Sequence, residues 1–394
     1  MTTTTLIQAD ARRCPLADKS VQMVCTSPPY YSLRDYGVHG QIGLESSVAE
    51  YLQTMVQVFR EVRRVLRDDG TVWCNMGDSY SQSQMGRNRN GCGNIPAPCR
   101  EFVADPGRGF CGIAPKNLLG IPWRLAFALQ DDGWILRSDI IWSKPNPMPE
   151  SVTDRPTKSH EYVFLLAKRE RYFYDAEAVR EKAEYGYRCT TGGKTSEKWG
   201  RQQVASPVDS RNPSAVTTYG SDPSAGRNLR SVWTITPRAF TGAHFATFPS
   251  ELVERCVKAG TSERGQCPKC GKAWERQLER TFVGSYHDHK LDGIAYGLRQ
   301  NGKGPATKYE RPRDLGWRPG CTCPPHEPVP QVVFDPFGGA GTVPLVASNL
   351  GRRGVMTELN PAYIALARRR ISRPHSKPER VEREEHHPLF AGIE

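Results

Sequence analysis

The sequence predicts an α/β fold built on an open sheet, and three observations carry that expectation. Short apolar runs with strand character alternate with amphipathic stretches of helical period. Two of those runs end abruptly in sharp turns, Ser27-Pro28-Pro29-Tyr30 and Asp335-Pro336-Phe337-Gly338-Gly339-Ala340-Gly341-Thr342, at the strand ends where an open α/β sheet carries its ligands. Between the periodic parts lie long stretches rich in Gly, Ser, Arg and Pro that cannot add much to a core. At 394 residues the chain can bury a full core and is long for one simple domain, so a large α/β unit with insertions is expected.

Leu6-Ile7-Gln8-Ala9-Asp10 reads as a short strand ending in an acid, and Leu16 to Ser20 as a polar turn before a second strand, Val21 to Cys25. Their closeness in sequence predicts neighbours in one sheet. Tyr31 to Leu44 is loop-like, a cover for a bound ligand or an ordinary connector. From Glu50 to Leu66 the apolar residues Tyr51, Leu52, Met55, Val58, Phe59, Val62, Val65 and Leu66 recur at spacings of three and four, which predicts an amphipathic helix stopped by Asp68-Asp69-Gly70. Thr71 to Met76 is the next buried strand, and Ser79 to Pro115 an insertion loop without period. Leu118 to Leu129 predicts a helix broken at Gly133, and Trp134 to Trp142 a strand. Glu161 to Ala167 predicts a further strand, paired with Tyr172-Phe173-Tyr174 in a hairpin at a sheet edge. Glu181 to Arg230 has almost no aliphatic periodicity. Order resumes at Val232, and Pro249 to Ala259 is a helical pattern closed by Gly260. Gln331 to Phe334 is a buried strand running into the glycine turn, Thr342 to Leu350 the helix after it, and Gly354 to Thr357 a strand ending at Glu358. Pro361 to Ile371 closes the fold with proline in its first turn, and the polar tail beyond Arg373 is expected to be disordered.

The 54 Lys and Arg against 42 Asp and Glu leave a net charge of +12, which suits a polyanionic partner and says nothing of fold. No apolar run approaches the ~20 residues of a membrane span, and the Thr-rich start lacks the segments of a signal peptide. The expectation is a cytoplasmic protein with no membrane partner. Its 12 cysteines should then be reduced, so a close pair of them points to a metal site before a disulfide.

Neither proline of the first turn can donate a backbone hydrogen bond and each fixes its own φ, so the Pro28 carbonyl and the Tyr30 ring are held in set directions at a strand's carboxyl end. An acceptor and a flat face presented together suit a planar heterocycle with an exocyclic amine. The acceptors take the amine hydrogens, and the ring stacks, worth about 1–3 kcal/mol per base. Alone, the tetrapeptide is equally a Pro-Pro turn before a core tyrosine. With the second signature, Asp335 to Thr342, the chain resembles the amino-methylating DNA methyltransferases, which carry Ser-Pro-Pro-Tyr or Asp-Pro-Pro-Tyr at this point and methylate cytosine N4 or adenine N6.

That resemblance covers roughly residues 5–175 and 230–372 and implies a Rossmann-like, S-adenosylmethionine-dependent methyltransferase sheet. The catalytic corner comes first and the cofactor turn last, similar to the circularly permuted order of the β group of these site-specific enzymes of phages and restriction-modification systems, with target recognition in between. It further implies that Ser27 Oγ and the Pro28 carbonyl accept the amine hydrogens, and that Pro29 and Tyr30 complete the corner. The base would be flipped out of double-stranded DNA, at a cost of a few kcal/mol, and stacked on Tyr30 and on Tyr162 or Phe164. Serine before Pro-Pro resembles the cytosine-N4 enzymes, with adenine N6 as the alternative. Whether a homodimer forms, or a cognate restriction endonuclease accompanies the chain, stays open.

A strand, a glycine-rich turn and a helix, with the acid Glu358 ending the following strand, form the nucleotide-binding arrangement of an α/β sheet, the acid accepting from ribose hydroxyls. Position 344 is proline where a dinucleotide turn needs its third glycine, and no Gly-Lys-Ser/Thr follows. Dinucleotides and nucleoside triphosphates are therefore disfavoured, and S-adenosylmethionine, with a ribose and no phosphate, fits what remains. In the family resembled, Asp335, Pro336, Phe337, Gly339, Gly341 and Thr342 wrap the methionine part and Glu358 takes the ribose. Thr26 and Phe248, the latter within Phe245 to Pro249, contact the cofactor, and Asp10 lies near the adenine. Core packing is the alternative for the Phe residues.

Cys267-Pro268-Lys269-Cys270-Gly271 opens a further insertion and Cys321-Thr322-Cys323 closes it. A C-x2-C turn aims backbone N–H groups at thiolates, and four sulfurs complete a tetrahedron, so a structural zinc on Cys267, Cys270, Cys321 and Cys323 is expected. His287, His289 and His326 are substitute ligands, and two unrelated thiol pairs the alternative. Cys92, Cys99 and Cys111 read as ordinary thiols. The chain then divides into a catalytic half (1–180), a target-recognition segment (181–230), a cofactor-domain helix (231–260), a zinc-ribbon-like insertion (261–325), a cofactor-binding half (326–372) and the tail (373–394). Two readings from other classes compete. A non-enzymatic zinc-ribbon DNA-binding protein would need no intact cofactor turn. A protein glutamine methyltransferase carries asparagine first in its Pro-Pro-Tyr corner and its cofactor turn upstream.

Overall fold

The computed structural model describes residues 4–81, 113–182, 226–237, 248–279, 282–283, 308–309 and 312–372. Outside the described residues lie most of the Ser79–Pro115 insertion with Cys92, Cys99 and Cys111, the interior of segment 181–230, residues 245–247, much of 261–325 with His287 and His289, and the tail.

Along the chain run β1 (Thr5–Gln8), β2 (Val21–Thr26), α1 (Val48–Val65), β3 (Leu66–Met76), α2 (Ile121–Asp131), β4 (Ile135–Ser143), β5 (His160–Ala167), β6 (Val232–Thr234) and α3 (Ser250–Gly260). There follow β7 (Trp274–Glu279), β8 (Phe282–Val283), β9 (Lys308–Tyr309), β10 (Arg313–Pro319), β11 (Val332–Asp335), α4 (Thr342–Asn349), β12 (Arg353–Glu358) and α5 (Pro361–Ser372). Eight strands form one mixed sheet in the order β1-β12-β11-β2-β3-β5-β4-β6. Neighbours from β1 to β3 are parallel, β5 is antiparallel to both β3 and β4, and β6 is parallel to β4.

β2 is buried at every position because helices cover both of its faces, which is why it reads as a continuous apolar run rather than an alternation. Val21 and Val24 join Tyr51, Met55 and Phe59 of α1 in one core, whereas Met23 and Cys25 join Leu252, Val253 and Cys256 of α3 in the other. The strand is thus fixed from two sides, and so is the turn that leaves it. The adjacency expected of the two signatures is present: β11 lies beside β2 in parallel, with Val333 opposite Met23 and Phe334 opposite Val24.

Three details differ from the sequence expectation. β1 shares the sheet with β2 but is not its neighbour; it sits at the edge on β12, with Gln8 opposite Glu358, and β12 and β11 intervene. Helix α1 ends at Val65, and Asp68-Asp69-Gly70 belongs to β3, where the register against β2 jumps from Val21–Leu66 to Met23–Thr71. Tyr172 to Tyr174 forms no strand. The segment folds back over the start of β3 through the Phe173 N–H to Asp69 carbonyl bond (2.9 Å), and β5 takes an interior place between two longer strands. Among the described residues no helix is long and apolar enough to cross a membrane.

Candidate active site

The corner after β2 is held by the elements on either side of it. The Tyr51 hydroxyl of α1 donates to the Pro29 carbonyl (2.9 Å), so of the two prolyl carbonyls this one is engaged in packing the turn. The Tyr30 ring lies against Gly77, just beyond β3, so closely that a Cβ there would come within 2.6 Å of the ring. Only glycine leaves room for that approach. The Tyr30 hydroxyl donates to Glu161 Oε2 (2.6 Å) on β5. Asn75 on β3 gathers the group: its Nδ2 lies 2.8 Å from Glu161 Oε2, 3.0 Å from the Tyr30 hydroxyl and 3.5 Å from Ser27 Oγ. The carboxylate fixes the amide's orientation, since the reverse would set a carbonyl oxygen against it, and Asn75 Oδ1 is left buried with no described partner.

Lys144, one residue beyond β4, forms an ion pair with Glu161 Oε1. Burial pushes the Glu161 carboxyl up, but the Lys144 charge and hydrogen bond, with those from Tyr30 and Asn75, more than offset it, and the group stays below the usual glutamate range. Burial, and the Glu161 charge after it, raise the Tyr30 phenol well above its ordinary value. Burial lowers Lys158, whose ammonium donates to the Asp78 carbonyl. Tyr162 and Phe164, the other stacking candidates, are stacked on each other (5.7 Å between centroids) and closed in by the Trp123 ring of α2.

The glycine turn follows β11 at the same carboxyl edge. Asp335, 1% exposed, accepts from the Thr26 hydroxyl (2.7 Å) at the end of β2 and from the Phe337 N–H (3.0 Å), which ties the two turns together directly. Burial pushes its carboxyl up to about 7 despite those bonds. Pro336 accepts from the Thr357 hydroxyl through its carbonyl (2.9 Å). Gly339 and Gly341 both have positive φ, +48° and +75°, and a Cβ at Gly341 would come 2.9 Å from that of Ala367 on α5. Thr342 opens α4 and accepts from Arg370 of α5 (2.8 Å). Glu358 accepts from the Gly339 N–H and the Asn360 N–H, each at 2.9 Å, and burial raises its carboxyl. Asp10 is clasped by Arg12, whose Nε reaches both carboxylate oxygens at 3.0 Å; burial works against its ionisation and Arg12 outweighs it. Phe248 packs against the α3 core.

The four cysteines converge away from this edge. The Sγ atoms of Cys267, Cys270, Cys321 and Cys323 all lie within 4.8 Å of one another. The Cys270 N–H points at Cys267 Sγ (3.4 Å), and the unit is closed at its base by the paired Gln266–Val329 backbone bonds (2.8 and 2.9 Å). It docks through the Cys270 carbonyl on Arg67 (3.3 Å), at the amino end of the sheet. His326 stands outside the cysteine group, with Nδ1 on the Pro324 carbonyl (2.5 Å).

Asn75, Glu161 and Lys144 were not singled out by sequence reasoning. The one available signal was a polar residue at or just beyond the carboxyl-edge end of each of three strands; what joins them is the β3-β5-β4 order, set by pairing over long separations.

A sequence model of the DNA methylase family matches residues 21–267. The chain is 37% identical over 371 residues to the type II methyltransferase M.Cfr9I of Citrobacter freundii, covering 93% of this chain and 87% of that protein. It is 37% identical over 381 residues to the type II methyltransferase M.XycI of Xanthomonas campestris pv. cyanopsidis, covering 96% and 90%. These alignments run through the insertions and are not confined to 5–175 and 230–372. Among solved structures, PvuII DNA methyltransferase (cytosine-N4-specific) is similar at a TM-score of 0.49 and 15% identity, over 93% of this chain and 86% of that one.

Proposed function

The chain belongs to the DNA methylase family, and we propose that it moves a methyl group from S-adenosylmethionine to the N4 amine of a cytosine flipped out of duplex DNA. The observation that carries this reading is the Thr26–Asp335 bond of 2.7 Å, which binds the end of the Pro-Pro strand to the start of the glycine turn at one sheet edge. The residues fit the cofactor. Beside Gly339 a Cβ would meet nothing nearer than 3.9 Å, so the turn has an open side. The Glu358 carboxylate has lone pairs beyond those given to Gly339 and Asn360 with which to accept from ribose hydroxyls. Asp335 to Thr342 would hold the methionine part. The Arg12 clasp makes Asp10 the less available partner for the adenine.

When bound, the cofactor supplies an electrophilic methyl on a sulfonium. The chain's task is alignment and the handling of amine hydrogens. A cytosine amine is a poor nucleophile because its lone pair is delocalised into the ring; accepting its hydrogens at Ser27 Oγ and the Pro28 carbonyl favours the pyramidal form. Serine at position 27 supports cytosine N4 over adenine N6, the alternative that shares this corner. The intact cofactor turn argues against a purely DNA-binding role, and its place after the corner argues against a glutamine methyltransferase. The motif order supports a circularly permuted β-group arrangement.

Four thiolates around zinc at about 2.3 Å stand about 3.8 Å apart, compatible with the cysteine cluster, so a structural zinc belongs to the same reading. Target recognition is assigned to segment 181–230, which lies between the corner and the cofactor turn and is rich in Arg, Gly, Ser and Thr. The ends of this segment are pinned by paired Glu181–Arg227 backbone bonds (2.9 and 2.8 Å) and by Arg230 on the Glu181 carboxylate (2.8 Å). Incubating the protein with methyl-labelled cofactor and either duplex DNA or a protein lysate tests the substrate class. Label should enter DNA; label confined to protein, or none, contradicts the proposal.

A further inference from the structure

We propose that Glu161 is the terminal acceptor of the proton released by methyl transfer, reached from the substrate amine through the hydroxyls of Ser27 and Tyr30. The inference rests on the amine-methylation reading above and concerns where the proton goes. An amine that gains a methyl becomes cationic and must lose a proton, and a serine hydroxyl cannot keep one. Ser27 can accept an amine hydrogen and pass on its own only if its hydroxyl has an acceptor behind it. The structure supplies a series of oxygens. Ser27 and Tyr30 bring their hydroxyls to one shared donor. Their hydroxyls lie 3.5 and 3.0 Å from the single Asn75 Nδ2, and the Tyr30 hydroxyl donates onward to Glu161 Oε2 at 2.6 Å.

The step balances. The amine nitrogen forms its bond to the methyl carbon as the sulfur–methyl bond breaks, with the electron pair staying on sulfur. The amine N–H then passes to Ser27 Oγ, the Ser27 proton to the Tyr30 oxygen, and the Tyr30 proton to Glu161. Both hydroxyls end neutral, and the carboxylate becomes a carboxylic acid. Lys144, paired with Glu161 Oε1 and partly exposed, connects that acid to solvent for reset. A methylated cationic amine of this type is so acidic that delivery to a carboxylate, even one beside an ammonium, runs downhill. Asn75 is a positioning residue: its orientation is fixed by Glu161, and it holds the three oxygens in place without accepting a proton.

Tyr30→Phe keeps the ring against Gly77 and removes only the relay oxygen, so it is the primary variant; Glu161→Gln is the second. The readouts are single-turnover transfer of labelled methyl to duplex DNA and equilibrium binding of cofactor and DNA. Both variants should lose about 100-fold in transfer rate, at the low end of general acid–base contributions. Binding of both ligands should change by less than about threefold. Transfer by the variants should climb with pH between about 6 and 9, as solvent hydroxide takes over, while the unmodified protein stays flat. A Tyr30→Phe protein that transfers at the unmodified rate, or whose loss lies entirely in binding, overturns the relay. If the unmodified protein labels no DNA, the underlying reading falls and the relay with it.

Discussion

Asp335 carries an acid where the fold gives it almost no water, and its two hydrogen bonds, from Thr26 and Phe337, do not offset the cost of burying its charge. Its carboxyl, ordinarily near 3.8, is raised to about 7 by that burial. The folded chain therefore keeps a proton that the unfolded chain has released between those values. The resulting stabilisation is full below about pH 4 and is lost as pH rises through about 7. Asp335→Asn can keep both hydrogen bonds without the titration. Thermal unfolding without cofactor, followed from pH 4 to 8, should show the unmodified protein losing on the order of 4 kcal/mol relative to the variant. Parallel curves for the two proteins would mean that Asp335 ionises normally. Thr26 and Tyr30 belong to the same class of residue, with side chains that join β2 and its turn to their neighbours.

The sheet and the cysteine unit divide the labour by position. β2, β3, β11 and β12 send Ser27, Gly77, the glycine turn and Glu358 to one edge, whereas Arg67, Thr261 and Gln331 stand at the other, where the cysteine unit is attached. A strand of 6 residues such as β2 spans about 17 Å, so the cysteines are too distant to touch a base at Ser27. Metal analysis under reducing conditions should find about one zinc per chain, and Cys267→Ser with Cys270→Ser should lower the melting temperature while methyl transfer at reduced temperature stays within about threefold. Absence of metal, or loss of transfer in a folded variant, would count against a structural zinc. Elements whose cause is local were legible beforehand. The period of α1, the two prolines after β2 and the glycines of the cofactor turn each impose a backbone whatever the rest of the chain does. Tyr172 to Tyr174 was misread because an aromatic run has strand character in isolation, and only the fold shows it lying over Asp69.

For the molecule as a whole, the Ser-Pro-Pro-Tyr corner and the glycine turn were legible as motifs, and their adjacency followed from α/β topology. The Asn75–Glu161–Lys144 group was not, because its members become neighbours only when β5 enters between β3 and β4, a pairing that no local pattern announces. The net charge of +12 adds what the sheet alone does not, an attraction for a polyanion that steers without selecting sequence. Selection among bases rests on the corner. On the proposed reading its serine, with Asn75 Nδ2 3.5 Å away, is the feature that favours a cytosine amine over an adenine amine. Digesting DNA methylated by the purified protein to single nucleosides and identifying the modified one by mass and chromatography addresses this claim most directly. The account predicts N4-methylcytosine; N6-methyladenine, or a product methylated at a ring carbon, would contradict it.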